Sequence, residues 1–279
     1  MGYYSQNSNL IGVAPRNRTG VHDLVNSQVN WDIVPDDLYL HLDAGREESY
    51  PGTGATWYDL SGNGFDATVY GNISWGFSPV DQVDSKFFFL PGTSNDAKIS
   101  LGNTLDFGNE FTICALIRPL SDSNIQPLIC NVDPGPTTEG FFFGWNTWGT
   151  SDRKVRVLVG QGTGSDNKHS VWSDADAFSV TPPEWCFFTV TIGKTVSEAH
   201  VRLNMSTIID SADLDDMDFD VSGQDVTIGA FNSVQAAVGT SYPACCHISA
   251  IAVYKRFLTY HEQIHNFNYY KRRFGGGWA

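Results

Sequence analysis

From Leu38 onward the chain reads as a series of short alternating stretches separated by Gly, Pro, Asn and Asp. In "KVRVLVG" (154–160), Val155, Val157 and Val159 fall on one face. In "CFFTVTI" (186–192), Phe188, Val190 and Ile192 do the same, with thinner polar cover opposite. "HVRLN" (200–204) pairs Val201 with Leu203, and "DAKISLG" (96–102) aligns Ala97, Ile99 and Leu101. A period of two puts alternate side chains on opposite faces of a strand, and its repetition through most of the chain predicts antiparallel sheets packed face to face. "KFFFLPG" (86–92) and "GFFFGW" (140–145) discriminate less, because short apolar runs fit buried strands and buried helix turns alike.

One stretch changes period. In "LTYHEQIHNFNYYKRRFGGG" (258–277), Thr259 and Glu262 have the Ser/Thr-x-x-Glu spacing of a capping box. Ile264 and Phe267 then share a face, Lys271 to Arg273 suit the C-terminal end of the helix dipole, and Gly275 ends the run. A short C-terminal helix packed beside the sandwich is expected. Residues 1–34 are different again. They are rich in Asn, Ser, Gly and Arg with no sustained period, which reads as an extended arm.

Composition fits this picture. The 279 residues suit one large β domain, and 41% hydrophobic against 17% charged residues can fill a core. The 31 acidic residues outnumber 17 basic ones, giving a net charge of −14 with no basic stripe before "YKRRF", which argues against nucleic acid as a partner. No apolar run approaches a bilayer span, so no membrane insertion is expected. "MGYYSQNSNLIGVAPRNRTG" lacks a basic segment followed by an apolar one, so no signal peptide is read there. Five cysteines (Cys114, Cys130, Cys186, Cys245 and Cys246) without a signal point to reduced thiols in a cytoplasmically made protein. Cys114 and Cys186 lie inside apolar runs as small core residues, and Cys245–Cys246 lacks the spacing of a zinc site. The sequons at Asn17, Asn72 and Asn204 read as chance matches.

Five stretches together resemble the concanavalin A-like lectin/glucanase superfamily, in its laminin-G-like branch. They are "LYLHLDAG" (38–45), "WYDLSGNGFDATVYGNISW" (57–75), "FTICALIRPL" (111–120), "EWCFFTVTI" (184–192) and "IAVYKRFLTYHEQIHNFNYYKRRFG" (251–275). They occur in family order. The resemblance implies an all-β, two-sheet antiparallel jelly-roll sandwich over 35–275, preceded by the arm (1–34) and followed by a tail (276–279). Domains of this type are common in structural and host-facing proteins of tailed-bacteriophage virions, and the arm resembles their attachment segments. The implied protein is a non-enzymatic virion component (capsid decoration, capsid fibre or tail appendage). Its arm would hold other virion proteins, it would form homo-oligomers, and the jelly roll would face outward to host-surface glycans. A carbohydrate-binding module is the alternative. The chain departs from the family where many relatives read "FDG" and this one reads "FFLPG" (88–92). It departs again at "CHISAIAVY" (246–254), where many carry an acidic residue. Both changes remove potential calcium ligands.

Candidate chemistry is sparse. In "WYDLSGNGFDATVY" (57–70), Asp59, Asn63 and Asp66 are potential calcium ligands, yet calcium wants six to eight oxygens. The favoured reading is a tight turn in which Gly62 and Gly64 take positive φ and Asp59 and Asn63 bond local amides, with Trp57 and Tyr58 as core anchors. The acidic run "DSADLDDMDFDVSGQD" (210–225) fails as an EF-hand. Counting from Asp216, the sixth residue is Val221 rather than Gly and the twelfth is Thr227 rather than Glu. No cofactor is therefore assigned. Glu47, Glu48, Glu110, Glu139 and Glu184 have no partner at glucanase spacing and no G-x-S-x-G elbow occurs; His41, His169, His200, His247, His261 and His265 are not read as a metal set, although "HEQIH" (261–265) has the H-E-x-x-H spacing. The binding candidates are Trp145 and Trp148 in "FFFGWNTWGTSD" (141–152), and Trp172 after "GQGTGSDNKHS" (160–170). Aromatic plates beside polar loops can stack on sugars.

Overall fold

The structure, a computed structural model, describes residues 32–77, 86–93, 97–102, 105–131, 137–163, 168–193, 198–211, 225–231 and 242–274. The chain divides into two units, Met1–Ile33 and Val34–Ala279; the second is described below. The expected arm lies, up to Trp31, outside the described residues. So do most of the acidic run and the 276–279 tail.

The alternating stretches form two antiparallel sheets. The first runs β14 (Ser206–Ser211), β13 (Glu198–Leu203), β12 (Cys186–Gly193), β7 (Glu110–Pro119), β16 (Cys245–Tyr254), β5 (Lys86–Pro91) and β4 (Ser74–Phe77), with β1 (Leu38–Asp43) also paired to β16. The second runs β11 (Lys168–Trp172), β10 (Val155–Thr163), β9 (Thr137–Trp145), β8 (Gln126–Cys130), β15 (Val226–Ile228), β6 (Lys98–Gly102), β3 (Ala67–Tyr70) and β2 (Thr56–Trp57). The order is far from sequential, since β16 enters between β7 and β5. A bulge at Ile248/Ala250 lets this one strand serve β5 along its first half and β1 along its second. The result is an all-β sandwich of two antiparallel sheets with a C-terminal helix, as the sequence pattern predicts.

The two inner faces make one core. Val155, Val157 and Val159 meet Phe188, Val190 and Ile192 there, together with Phe141, Phe143 and Trp145. "KFFFLPG" and "GFFFGW" resolve as strands β5 and β9. Both have three consecutive Phe, so each sends apolar rings to both faces.

The outer face of the first sheet is covered by α1 (Tyr260–Phe274). Its capping box is formed: the Thr259 N–H donates to Glu262 Oε2 at 2.7 Å, and the Glu262 N–H donates to Thr259 Oγ1 at 3.4 Å. The Arg256 guanidinium donates to both Glu262 oxygens, at 2.9 and 2.7 Å. Those hydrogen bonds, above all from Arg256, pull the Glu262 carboxyl down to about 2. The buried face differs from the expected one. Ile264 is half-buried, whereas Gln263, Asn266, Phe267, Tyr270 and Phe274 are buried. The polar members close a polar seam. Asn266 Oδ1 accepts the Val34 N–H at 2.9 Å while Asn266 Nδ2 donates to Tyr254 Oη at 3.0 Å, and Arg202 donates to Gln263 Oε1 at 3.0 Å. Below them Phe187 packs against Phe267 and Tyr270, and Trp185 against Phe274.

Candidate functional site

Helix α1 leaves the outer face of the second sheet to other groups, and strand parity decides which. With Phe141, Phe143, Val155, Val157 and Val159 turned inward, Phe142, Gly144, Arg156 and Leu158 must point outward, as do Ser170 and Trp172 on β11. Arg156 sits directly opposite Trp172 on one side and Gly144 on the other. The missing side chain at Gly144 matters. A Cβ there would stand 2.7 Å from Cζ of Phe142 and 2.2 Å from the Gln126 carbonyl oxygen, so only Gly lets the Phe142 ring lie across this position.

The guanidinium of Arg156 therefore sits among rings. Its Cζ lies 4.5 Å from the Trp172 ring centroid and 5.8 Å from that of Phe142. Nη2 donates to Ser170 Oγ at 2.9 Å. The buried Nε–H has no acceptor. Among the described residues, no carboxylate pairs with this cation. Burial with no compensating acid brings its pKa down to about 10, because desolvation disfavours the charged form.

The aromatic contacts continue away from Arg156. Phe142 stacks on Phe231 at 5.5 Å between centroids, and Trp148 lies parallel to Phe231 at 6.1 Å with 4° between planes. Tyr242 meets both Trp148 and Phe231 edge-on. Ile125, Cys130, Phe142, Leu158 and Phe231 form a second apolar cluster beneath this ridge. Trp148 is carried by a tight loop. The Thr147 N–H donates to Thr150 Oγ1, the Gly149 N–H donates to Asn124 Oδ1, and Asn146 takes φ 59° while its side-chain N–H groups bond the carbonyls of Asp122 and Asn124.

The three expected tryptophans thus separate. Trp148 is 47% exposed and Trp172 38%, at the two ends of one chain of ring contacts. Trp145 is 1% exposed, inward-facing on β9, with Nε1–H donating to the Ser121 carbonyl. It is a core residue, and its ring is not open to a sugar. Arg156, Phe142, Phe231 and Tyr242 join the face without having been foreseen. The outward Arg in "KVRVLVG" was the one signal available for them.

Beside the Trp148 loop lies a depression of about 430 Å³ lined by Asp122, Arg153, Asp176 and residues 178–181. Arg153 is ion-paired there with both Asp122 and Asp176. Those charges satisfy one another.

The turn at 57–70 is a structural connection. Asp59 Oδ1 accepts the N–H groups of His41 and Ser61, both at 2.9 Å, and Oδ2 accepts Ser61 Oγ–H at 2.7 Å and the Phe65 N–H at 3.2 Å. Asp66 Oδ1 accepts the Asp59 N–H. Asn63 Nδ2 donates to the carbonyls of Leu38 and Tyr39, so it bonds carbonyls rather than amides. Gly62 and Gly64 have φ of 87° and 78°. Three of the four carboxylate oxygens of Asp59 and Asp66 accept hydrogen bonds from the protein. Trp57 is in the core, but Tyr58 is 44% exposed, a departure from its expected place as a core anchor. Adjacent residues in extended chain point opposite ways, so only one of the two can face inward. Among the described residues, no three His, Cys, Asp or Glu side chains form a metal-holding group. None of the five cysteines is in a disulfide; burial pushes the Cys114 thiol up to about 12 and raises Cys186 and Cys246 further, so these three are not activated nucleophiles.

No protein-family model matches the chain, and no curated protein sequence matches it. Solved structures do. The binding domain of Paraclostridial Mosquitocidal Protein 1 aligns at a TM-score of 0.60 with 16% identity, over 85% of this chain and 53% of that one. The binding domain of Botulinum Neurotoxin DC in complex with SialylT aligns at 0.59 with 14% identity, over 84% and 52%. The same domain in complex with rat synaptotagmin II gives 0.58 with 13% identity, over 84% and 52%. The chain spans about half the length of these structures. The likeness is one of fold.

Proposed function

We propose that this chain is a non-enzymatic recognition module whose second sheet presents its outer face to glycans. The observation that carries the reading is the run of ring contacts from Trp172 through Arg156, Phe142 and Phe231 to Trp148. It sets two exposed indoles on one rigid surface, with Ser170, Asn124 and Asp122 as nearby polar groups. Pyranose C–H faces stack on such plates, and flanking hydrogen-bonding groups fix orientation. A non-catalytic role is supported by the state of the acids. Asp43, Glu262, Asp122 and Asp176 are bound in ion pairs, which leaves them unsuited to an acid/base pair across a glycosidic bond. Solved structures of similar fold include toxin binding domains, one in complex with SialylT, which suits a binding role.

The setting we propose for this module is a tailed-phage virion, with residues 1–34 anchoring it to neighbouring virion proteins and the homo-oligomeric sandwich facing the host. The order of the five stretches that resemble the laminin-G-like branch and the polar composition of the arm support this setting.

Two experiments test the proposal. On a printed panel of neutral and acidic oligosaccharides, the protein binds at least one class, and Trp148→Ala and Trp172→Ala each weaken that binding by roughly 3–10-fold. Binding that neither substitution alters would place the glycan site elsewhere. For the setting, deletion of residues 1–34 leaves a folded domain that no longer joins particles; incorporation of the truncated domain at full copy number, measured by mass spectrometry of purified particles, would remove the arm from the account.

A further inference from the structure

The outward face of β9, β10 and β11 holds a cation that no acid among the described residues answers. Although the chain carries 31 acidic residues, none of those among the described residues is paired with Arg156. Its stem and head are largely withdrawn from water between Trp172 and Phe142, and Nε–H is buried without an acceptor. One hydrogen bond, from Nη2 to Ser170 Oγ at 2.9 Å, ties the guanidinium to β11. A buried donor with no acceptor and a charge with no counter-charge are both costly, and the cost is relieved when an anion arrives. The arrangement is also pre-organised. Trp172 and Phe142 hold the flat head in place, so little side-chain freedom remains to be lost on binding.

Resting on the glycan reading above, we propose that the ligand is an acidic sugar whose ring stacks on Trp172 and whose carboxylate is received by the guanidinium of Arg156. A carboxylate matches the planar fork of Arg through parallel hydrogen bonds, which a neutral hydroxyl does not. Trp172 is exposed and directly opposite Arg156 in the β10–β11 register, so plate and cation stand within the width of one pyranose. Against a net charge of −14 this is a local attraction that acts only at contact range, since the field of the whole chain repels anions. Selectivity therefore comes from Arg156 itself. Ser170 is a positioning residue.

The test uses the full chain with sialyllactose and hexagalacturonate, each beside its carboxyl-reduced counterpart, and with dextran sulfate and poly-L-glutamate as further probes. Wild-type protein binds at least one carboxylated sugar roughly tenfold or more tightly than its reduced form, the factor expected of a lost charge-assisted hydrogen-bond pair. Arg156→Gln abolishes that preference while keeping the weak binding of the reduced sugar. Arg156→Lys, which keeps the charge but not the fork, retains part of it. Comparable melting temperatures show that the variants fold, and the wild-type comparison of acid with reduced sugar needs no variant. Equal binding of acid and reduced forms, or a preference that survives Arg156→Gln, overturns the inference and leaves the glycan reading intact. Binding of none of the sugars overturns the glycan reading itself. A stronger response to dextran sulfate replaces carboxylate by sulfate, and displacement by poly-L-glutamate at equal carboxylate concentration assigns the face to an acidic peptide; either result overturns the carboxylated-sugar assignment.

Discussion

Arg273, in the last turn of α1, forms a two-point ion pair with Asp43 at the end of β1, with Nη2 2.9 Å from Oδ1 and Nη1 in contact with Oδ2. The Asp43 side chain is fully buried, and Gly45 donates its N–H to Oδ1. Burial pushes the Asp43 carboxyl up; the charge and hydrogen bonds of Arg273, with His41 and the Gly45 amide, outweigh it and leave the group below its ordinary range. The pair fastens the helix to the first sheet 230 residues away in sequence.

Arg273→Met removes one partner and strands the other, which costs about 3–5 kcal/mol at neutral pH. In wild-type protein Asp43 contributes stability that is present above its unfolded pKa and lost as pH falls through its lowered folded pKa. In the variant the unpaired carboxylate titrates upward instead, so protonation relieves it. The stability gap between the two proteins, measured by urea denaturation, narrows as pH falls from about 7 to about 4. A gap that is constant with pH would contradict the buried pair.

His247 gives a second acid response of its own. It stacks on Phe87 at 3.9 Å and meets Phe89 edge-on. Burial, and then the charge of Arg118, bring its pKa down from 6.5 to about 4. Between those values the unfolded chain binds the proton and the folded one does not, so stability falls as pH drops through that window. His247→Phe flattens the melting-temperature profile there. An unchanged slope in the variant would show that other groups carry it.

The two kinds of tryptophan differ in what their loss does. Trp145→Ala opens a cavity in the core and costs about 3–5 kcal/mol. Trp172→Ala removes an exposed plate and its contact with Arg156, and changes stability by no more than about 1 kcal/mol. Chemical denaturation of both variants checks the difference; equal costs would contradict their assignment to core and surface.

Asp59 binds four protein donors, which predicts a structural rather than a metal role. Asp59→Ala destabilises the sandwich by about 2–3 kcal/mol, in the range for hydrogen bonds to a charged acceptor. Millimolar calcium leaves the wild-type melting temperature unchanged. A calcium-dependent rise would mean that the native state binds the ion.

Much of this architecture was legible because its signals are local. Alternation placed Val155, Val157, Val159, Val201, Leu203, Ala97, Ile99 and Leu101 inward, and all are buried. The Thr259–Glu262 spacing located the helix start because both halves of a capping box lie within one turn. The candidate face was only half legible. Phe142 sits in the middle of three Phe residues, where alternation is silent about which ring turns outward. Phe231 and Tyr242 reach that face from chain segments some way off, through sheet order that periodicity does not encode. The polar helix face was hidden for a similar reason. Gln263 and Asn266 are buried because tertiary partners complete their hydrogen bonds, against the usual exposure of such residues.

The glycan-binding face is tested most directly by two-dimensional ¹⁵N NMR of the indole N–H signals, assigned through single Trp→Phe variants, during titration with the oligosaccharide that the printed panel selects. The account predicts that the Trp148 and Trp172 signals move with a common saturation curve while those of the buried Trp57, Trp145 and Trp185 stay in place. Movement of the other indole signals with Trp148 and Trp172 unaffected would contradict it.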